Sequence, residues 1–416
     1  MHKIAFMTTA GYSKIFNDPV YGFITVTDPF HQQIINHPWF QRLRRITQGG
    51  LSYLVYPGAH HTRFHHALGA MHLMEQALLV IQRKGTSIST EELQAGMAAV
   101  LLHDIGHGPF SHTLEGVLIP GVHHEALTVE IMNLLNAEFN GALTLAIQMF
   151  LGTYPRPFFN QLIASQLDVD RLDYLRRDSF YTGVAEGVIG SERIIKMMVV
   201  IQDELLIEEK GIYSIEKFLI ARRLMYWQVY LHKTVLGAEA LMHQIFRRAR
   251  QLATSRIDLF GTPALHRVLH LNENNPLDLD LVPAFAQLDD HDAMAAIKVW
   301  SSHSDPILSQ LCRRLLNRQL LKVRIQSDPV SQANIDAIIL AVSSYLSCSI
   351  AEAGFFVSHG SVSNQTYDTE KGPIRFFMKT GEIRDFFSAS DNLSVENALN
   401  KVQKHFICFP KEVLIA

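Results

Sequence analysis

Cysteine is scarce in this chain of 416 residues: Cys312, Cys348 and Cys408 lie far apart, without the spacing of a metal knuckle or a redox pair. That excludes a disulfide scaffold and suits a reducing, cytoplasmic setting. Net charge is also small, 37 Lys and Arg against 40 Asp and Glu, which leaves −3 and no strong signal for nucleic acid. No stretch approaches the ~20 uninterrupted apolar residues of a membrane span. The opening MHKIAFMTTAGYSK lacks the apolar run of a secretion signal. The expectation is a cytoplasmic protein with no membrane partner. No GxxxxGK[ST] loop is present, and Ser111 follows Pro-Phe rather than standing in a GxSxG elbow. P-loop chemistry and serine hydrolysis are unsupported.

Histidine, by contrast, is abundant. There are 21, and ten fall between His60 and His124. Imidazole serves both metal binding and proton transfer, so a cluster this dense raises an enzymatic reading before any motif is considered. With 48% hydrophobic residues, the chain can bury a large core in two or three structural units.

Residues 14–30 read as a short strand or hairpin, with Asp-Pro and Gly between β-branched and aromatic residues. Helical periodicity follows. Over residues 64–82, His66, Ala70, Leu73, Met74, Ala77 and Ile81 share a face that is apolar except for the histidine. A second helix starts near Ser89 or Thr90, capped ahead of Glu91 and Glu92, and breaks at Gly106–Pro109. Helices are also expected at about 123–135, 159–181 and 214–252. In the helix at 159–181, Ile163, Leu167, Asp170, Tyr174 and Asp178 align, so the stripe turns acidic halfway. Segments 320–325, 354–362, 374–379 and 405–409 have strand-like composition. The fold class is therefore mostly α, with a helical core over 1–317 and a smaller C-terminal α+β unit over 318–416. The polar segment Asn272–Asp280 reads as a surface loop.

The strongest local signal is His103-Asp104, followed by IGHGPFSHTLE. Where a helix breaks, adjacent His and Asp side chains can reach one cation. Imidazole beside carboxylate suits Mn, Fe, Co, Ni or Zn better than Ca. His66 and Asp170, polar on otherwise apolar stripes, are the natural remaining ligands. Taken singly, a core histidine bonded to a carbonyl or a paired acid is the commoner arrangement.

Four blocks in order carry a resemblance: YPGAHHTRFHHALGAMH (56–72), LLHDIGHGPFSHTLE (101–115), HHEAL (123–127) and LDVDRLDYLRRDS (167–179). KIFNDPVYG (14–22) and YLHKTV (230–235) match more weakly. The chain resembles the HD-domain metal phosphohydrolases, and within them the deoxynucleoside triphosphate triphosphohydrolases. The resemblance covers residues 14 to about 235. It implies one divalent transition metal on His66, His103, Asp104 and Asp170, with additional Mg entering with the nucleotide. In that family a water or hydroxide near the metal attacks the α-phosphorus of a dNTP, releasing deoxynucleoside and triphosphate. His112 and Glu115 match the acid–base pair. His107 and His124 match histidines that approach the phosphates, with Glu125 beside the second. Arg63 and Arg171 match phosphate contacts, Arg171 standing where many relatives have Lys. Gln48, Tyr174 and Asp178 match sugar-facing residues, and Tyr230, His232 and Lys233 a later helix that closes over sugar and phosphates.

Departures bear on specificity. Gly49 stands where relatives commonly have Leu, at the sugar edge, which puts strict deoxy selectivity in doubt. His65 stands where Glu is frequent. Asn36 replaces an Asp with which some members bind a guanine nucleotide effector. The resemblance also implies a homodimer or tetramer. Two rival readings stand beside a dNTP hydrolase: the same site acting on another nucleotide or phosphomonoester, and a nucleotide-responsive binding protein without activity. Arg247, Arg248 and Arg250 read as a solvated helix face. His60, His61 and His72 receive no functional role.

Overall fold

In the computed structural model, residues 13–271, 281–364, 366–367, 372–391 and 401–414 are described; the expected loop at 272–280 lies outside them. Strands β1 (Lys14–Asp18) and β2 (Gly22–Val26) pair antiparallel. Asp18 shapes the turn by accepting from the amides of Val20 at 2.9 Å and Tyr21 at 3.0 Å.

The two helices that open the motif region form where their periodicity places them. Helix Arg63–Arg83 buries the whole stripe from His66 to Ile81. Its first turn closes through His65, whose Nδ1 accepts from the Thr62 amide at 3.1 Å. An imidazole thus takes the place of the Glu of a capping box, which accounts for the departure noted at this position. Helix Thr90–Leu102 begins at Ser89, whose hydroxyl accepts from the Glu92 amide at 3.1 Å while the Glu92 carboxylate takes the Ser89 amide at 2.8 Å. It ends at Leu102, so His103 and Asp104 stand at the break. Helix His124–Glu138 follows.

Two expected helices are interrupted. The 159–181 segment divides into Phe158–Ile163 and Val169–Thr182. Asp168 caps the second part by accepting from the Arg171 amide at 2.7 Å and also takes the Ser165 amide at 2.8 Å. These side chains offer the backbone an alternative to helix. The 214–252 segment divides into Ile212–Met225, a π-helical turn at Tyr226–Tyr230, and Lys233–Thr254. His232 caps the last part through Nδ1, which accepts from the Thr234 amide at 3.2 Å.

Strands β3 (Met198–Ile201) and β4 (Glu204–Glu208) form a hairpin absent from the sequence expectation. Its turn residues Gln202 and Asp203 sit at φ 54° and 59°, as a tight hairpin requires, without the Gly or Asn that would announce it. Strands β5 (Lys322–Gln326), β6 (Ser358–Asn364) and β9 (Val402–Phe409) make an antiparallel sheet in the order β5-β9-β6. Strand β7 (Arg375–Phe377) pairs parallel with β4 and antiparallel with β8 (Ile383–Asp385). The protein is thus mostly α, with a C-terminal α+β unit.

Apolar burial forms two clusters. One gathers helices 63–83, 90–102 and 169–182 and takes Ile374, Phe376 and Phe386 from beyond residue 318. The other gathers helices 233–254, 290–300, 306–316 and 332–346 with β9, and takes Leu51, Phe110 and Leu114 from the motif region. Each cluster therefore draws on both sides of position 318. Among the described residues no single helix is long and apolar enough to cross a membrane. The Arg247–Arg250 run is not a solvated face throughout. Arg248 pairs with Asp305 at 2.5 Å, and Arg250 donates to the carbonyls of Val117 and Leu118 at 2.9 and 2.5 Å.

Candidate active site and metal centre

The His66 stripe, the end of helix 90–102 and the start of helix 169–182 meet at one point. His66 Nε2 lies 3.2 Å from His103 Nε2, 3.1 Å from Asp170 Oδ1 and 3.5 Å from Asp104 Oδ2. His103 Nε2 lies 3.5 Å from Asp104 Oδ1 and 3.6 Å from Asp170 Oδ1. Donors held about 2.1 Å from one tetrahedral cation are themselves roughly 3.4 Å apart, so His66, His103 and Asp170 fit one divalent metal, while Asp104 turns Oδ2 to His66 and Oδ1 to His103.

The outer contacts fix which atoms face inward. His66 Nδ1 meets Asp173 Oδ2 at 2.7 Å, and His103 Nδ1 meets the Val100 carbonyl at 2.5 Å, leaving both Nε2 atoms free for a cation. Asp173 is in turn held by the Nε and Nη2 of Arg177, each at 2.9 Å, and Arg177 reaches Asp18 in the hairpin at 2.7 Å. This approach depends on Gly69. A Cβ there would lie 2.0 Å from Asp173 Oδ1 and 2.2 Å from Arg177 Nη2.

Electrostatics agree with a cation. Burial opposes protonation of His66, yet hydrogen bonds to Asp170 and Asp173 and the charges of Asp173 and Asp104 outweigh it, carrying its pKa up to about 10. Asp104 and Asp170 stay well below the usual carboxylate range. Burial resists ionisation at both, but Arg63, His103 and His107 favour the Asp104 carboxylate, and hydrogen bonds to His103 and His66 favour Asp170. Asp173, also opposed by burial, is brought down to about 2 by Arg177 and His66.

Beside the metal ligands opens a cavity of about 440 Å³. Its lining includes Gln48, Arg63, Asp104, His107, His112, His124, Asp170, Arg171, Tyr174, Asp178 and Tyr230, all singled out in the sequence. Glu115 sits behind it and holds two of the histidines, His112 Nδ1 at 2.8 Å and His124 Nδ1 at 2.7 Å. The His124 and His107 rings stack with centroids 3.8 Å apart. Burial disfavours the charged Glu115, but hydrogen bonds from His112 and His124 hold its pKa far below normal. His107 is held neutral, by burial first and then by the charge of Arg63.

Arg63 is turned onto the metal ligands: it pairs with Asp104, and its Nε donates to Ser111 Oγ at 2.7 Å. Arg171 pairs with Asp168, and its buried Nε has no hydrogen-bond partner among the described residues. Asp178 accepts from the Tyr230 hydroxyl at 2.5 Å and meets His61 Nε2 at 2.6 Å. The π-helical turn delivers Tyr230 to this contact. Besides Glu115, three residues named for catalysis or substrate are not among those lining the cavity. Glu125 is exposed, Lys233 is exposed, and His232 serves as the helix cap described above. Asn36 is exposed, with Oδ1 accepting from Lys14 Nζ at 2.7 Å.

Sequence reasoning passed over several residues. His61, set aside as one of many histidines, is buried against Asp178 and stacks on Tyr181 with centroids 4.5 Å apart. Asp173 and Arg177 stand at i and i+4 on a helix, a pairing signal in plain view. Asp290 gave no local signal. It ties the loop after the motif helix by accepting from the amides of Phe110 at 2.6 Å and Thr47 at 2.9 Å, and burial raises its pKa to about 6. Glu239 lines the cavity and gave none either.

Comparison with known proteins places this arrangement. A family model described as an HD associated region matches residues 189–260. A solved structure of a phosphohydrolase from Bacteroides thetaiotaomicron is 48% identical, covers 96% of this chain and all of its own, and superposes with a TM-score of 0.92. An uncharacterized protein of Bacillus subtilis, YwfO, is 32% identical over 96% of this chain and 93% of its own length. A Dictyostelium discoideum homologue of the deoxynucleoside triphosphate triphosphohydrolase SAMHD1 is 30% identical over 58% of this chain. The match spans only 50% of that relative's length. The metal-ligand geometry and the full-length match to a phosphohydrolase lead to one assignment: the chain belongs to the HD-domain phosphohydrolases.

Proposed function

We propose that the protein hydrolyses deoxynucleoside triphosphates to deoxynucleoside and triphosphate, by attack of water at the α-phosphorus. The observation that carries this reading is that Asp104 and Asp170, the carboxylates packed against His66 and His103, border the same cavity as the Glu115-held histidines and the Asp178–Tyr230 pair. His66, His103, Asp104 and Asp170 would hold a divalent metal, which would lower the pKa of a water to ~7 and offer positive charge to phosphoryl oxygens. Glu115 fixes the rings of His112 and His124 through Nδ1, so each presents Nε2. His112, the more exposed of the two, delivers a proton to the departing 5′ oxygen. Arg171 offers its unpartnered Nε to phosphate oxygens. Asp178, positioned by His61 and Tyr230, accepts from the 3′ hydroxyl. Metal identity is among Mn, Fe, Co, Ni and Zn, with Mg accompanying the nucleotide. A homo-oligomer and a nucleotide effector belong to the same proposal, and light scattering with and without nucleotide decides both.

Incubation of the metal-loaded protein with the four dNTPs, followed by phosphorus NMR, is expected to show triphosphate as the phosphorus product. Absence of any phosphorus product would end this reading. A second substrate class, ribonucleotides, is favoured by Gly49. A Cβ there would touch only Ser52, at 3.4 Å, so the wall has room that a larger side chain would fill. Parallel assays with NTPs and dNMPs separate these classes.

A further inference from the structure

Most polar groups facing the cavity already have partners. Asp104 and Asp170 belong to the proposed metal centre, and Asp178, held by His61 and Tyr230, is assigned above to the sugar. On the wall made by Gly50 and Thr113 two groups are open. Glu239 has one hydrogen bond among the described residues, from Thr113 Oγ1 to Oε1 at 3.2 Å, and its Oε2 is unengaged. Gln48 Oε1 is buried with no hydrogen-bond partner among the described residues. Gly50 makes this wall possible: at φ +52° it passes so close that a Cβ would lie 2.8 Å from Thr113 Oγ1 and 3.1 Å from the Phe110 carbonyl. Gln48 Oε1, a buried acceptor without a donor, is costly unless a ligand brings one, and Glu239 lines the same cavity.

Phosphate cannot be that ligand, because a carboxylate repels it. The phosphate-compatible groups, Arg171 and the stacked histidines, are hydrogen-bonded to other residues and not to Glu239. We propose that Glu239 is a specificity-determining residue that accepts hydrogen bonds from the donor edge of the substrate's nucleobase. The proposal rests on the nucleotide reading above. Guanine offers two adjacent donors, N1–H and N2–H₂, which match the two oxygens of one carboxylate. Adenine and cytosine offer one amino group. Thymine offers a single imino donor flanked by two carbonyls, which a carboxylate repels. The expected order therefore begins with guanine and ends with thymine.

The test compares the unsubstituted protein with Glu239→Gln and Glu239→Ala, both metal-loaded, in kcat/KM for each dNTP and in equilibrium binding of the four dNTP α-thiotriphosphates. The unsubstituted protein should favour guanine over thymine. Either substitution should lower the guanine-to-thymine ratio by about tenfold or more, the scale of one hydrogen bond to a charged group. The melting temperature, read alongside, shows that the variants are folded. An absent base preference in the unsubstituted protein overturns the proposal. So does an unchanged ratio, or an equal fall for all four bases. If the analogues bind with this preference while no dNTP is cleaved, the hydrolytic reading falls and the base-reading role of Glu239 stands. If no nucleotide binds, both fall.

Discussion

At the metal end of the cavity three of the four proposed ligands are tied to neighbours: His66 to Asp173, His103 to the Val100 carbonyl, Asp104 to Arg63. On the Gly50–Thr113 wall, among the described residues, Glu239 keeps one oxygen open and Gln48 has an unpaired acceptor. The first region is finished before substrate arrives, so it spends no reorganisation during reaction. The second is completed only by a ligand, which is how a site discriminates between ligands. Charge follows the same division. Ionised carboxylates are stabilised at the metal centre, whereas burial raises the Glu239 pKa to about 7.

The contrast breaks most completely at Asp104. In Asp104→Ala the cation should lose a ligand and Arg63 its ion pair. Metal content by elemental analysis should fall towards zero and turnover by about three orders of magnitude or more. Retained metal with full activity would show that the four-residue set is not the centre. Glu115→Gln probes the intermediate case, a carboxylate that touches histidines and not the metal set. Its kcat should fall about 100-fold, the lower range for acid–base groups, with metal content unchanged. Loss of metal in this variant would move the histidine trio into the metal site.

Asp173→Asn tests how far the tie behind His66 reaches. The substitution removes the charge that orients His66 and neutralises part of the Asp18–Arg177–Asp173 chain. Metal affinity, read by chelator competition, should weaken about 10- to 100-fold. Unchanged affinity would reduce Asp173 to a core ion-pair residue.

The metal end was the part legible in the sequence, because its ligands interrupt apolar stripes at helical spacing. His66 ends one stripe and Asp170 turns another acidic, and each is required by local periodicity to point inward. The supporting atoms were harder to read. Asp18 meets Arg177 across 159 positions, and no local pattern announces such a pair. His61 was hidden by abundance, one histidine among ten. Helix interruptions depended on side chains competing with the backbone: Asp168 and Ser165 in one, His232 in the other. Glu239 sits two turns past that cap on helix 233–254, where an isolated Glu reads as a solvated face. Only the close passage of Gly50 and Thr113 reveals that it faces a cavity.

The smallest effect concerns stability, and its sign follows from that burial. Desolvation is the main cause of the raised Glu239 pKa, with the Thr113 hydrogen bond acting in the opposite direction. An unfolded glutamate ionises near its ordinary value of 4.5, while the folded one retains its proton to about 7. Between those values the unfolded state releases a proton that the folded state keeps, so stability declines as pH rises and levels off above about 7. Glutamine in its place has no charge to desolvate. The melting temperature of Glu239→Gln relative to the unsubstituted protein should therefore increase by about one degree, the shift that ~1 kcal/mol gives in a chain this size, between pH 5 and pH 8. An equal difference at both pH values would mean that the carboxylate is well solvated by cavity water. The Gly50–Thr113 wall would then resemble ordinary surface, and its contrast with the metal end would be one of position rather than of preparation for a ligand.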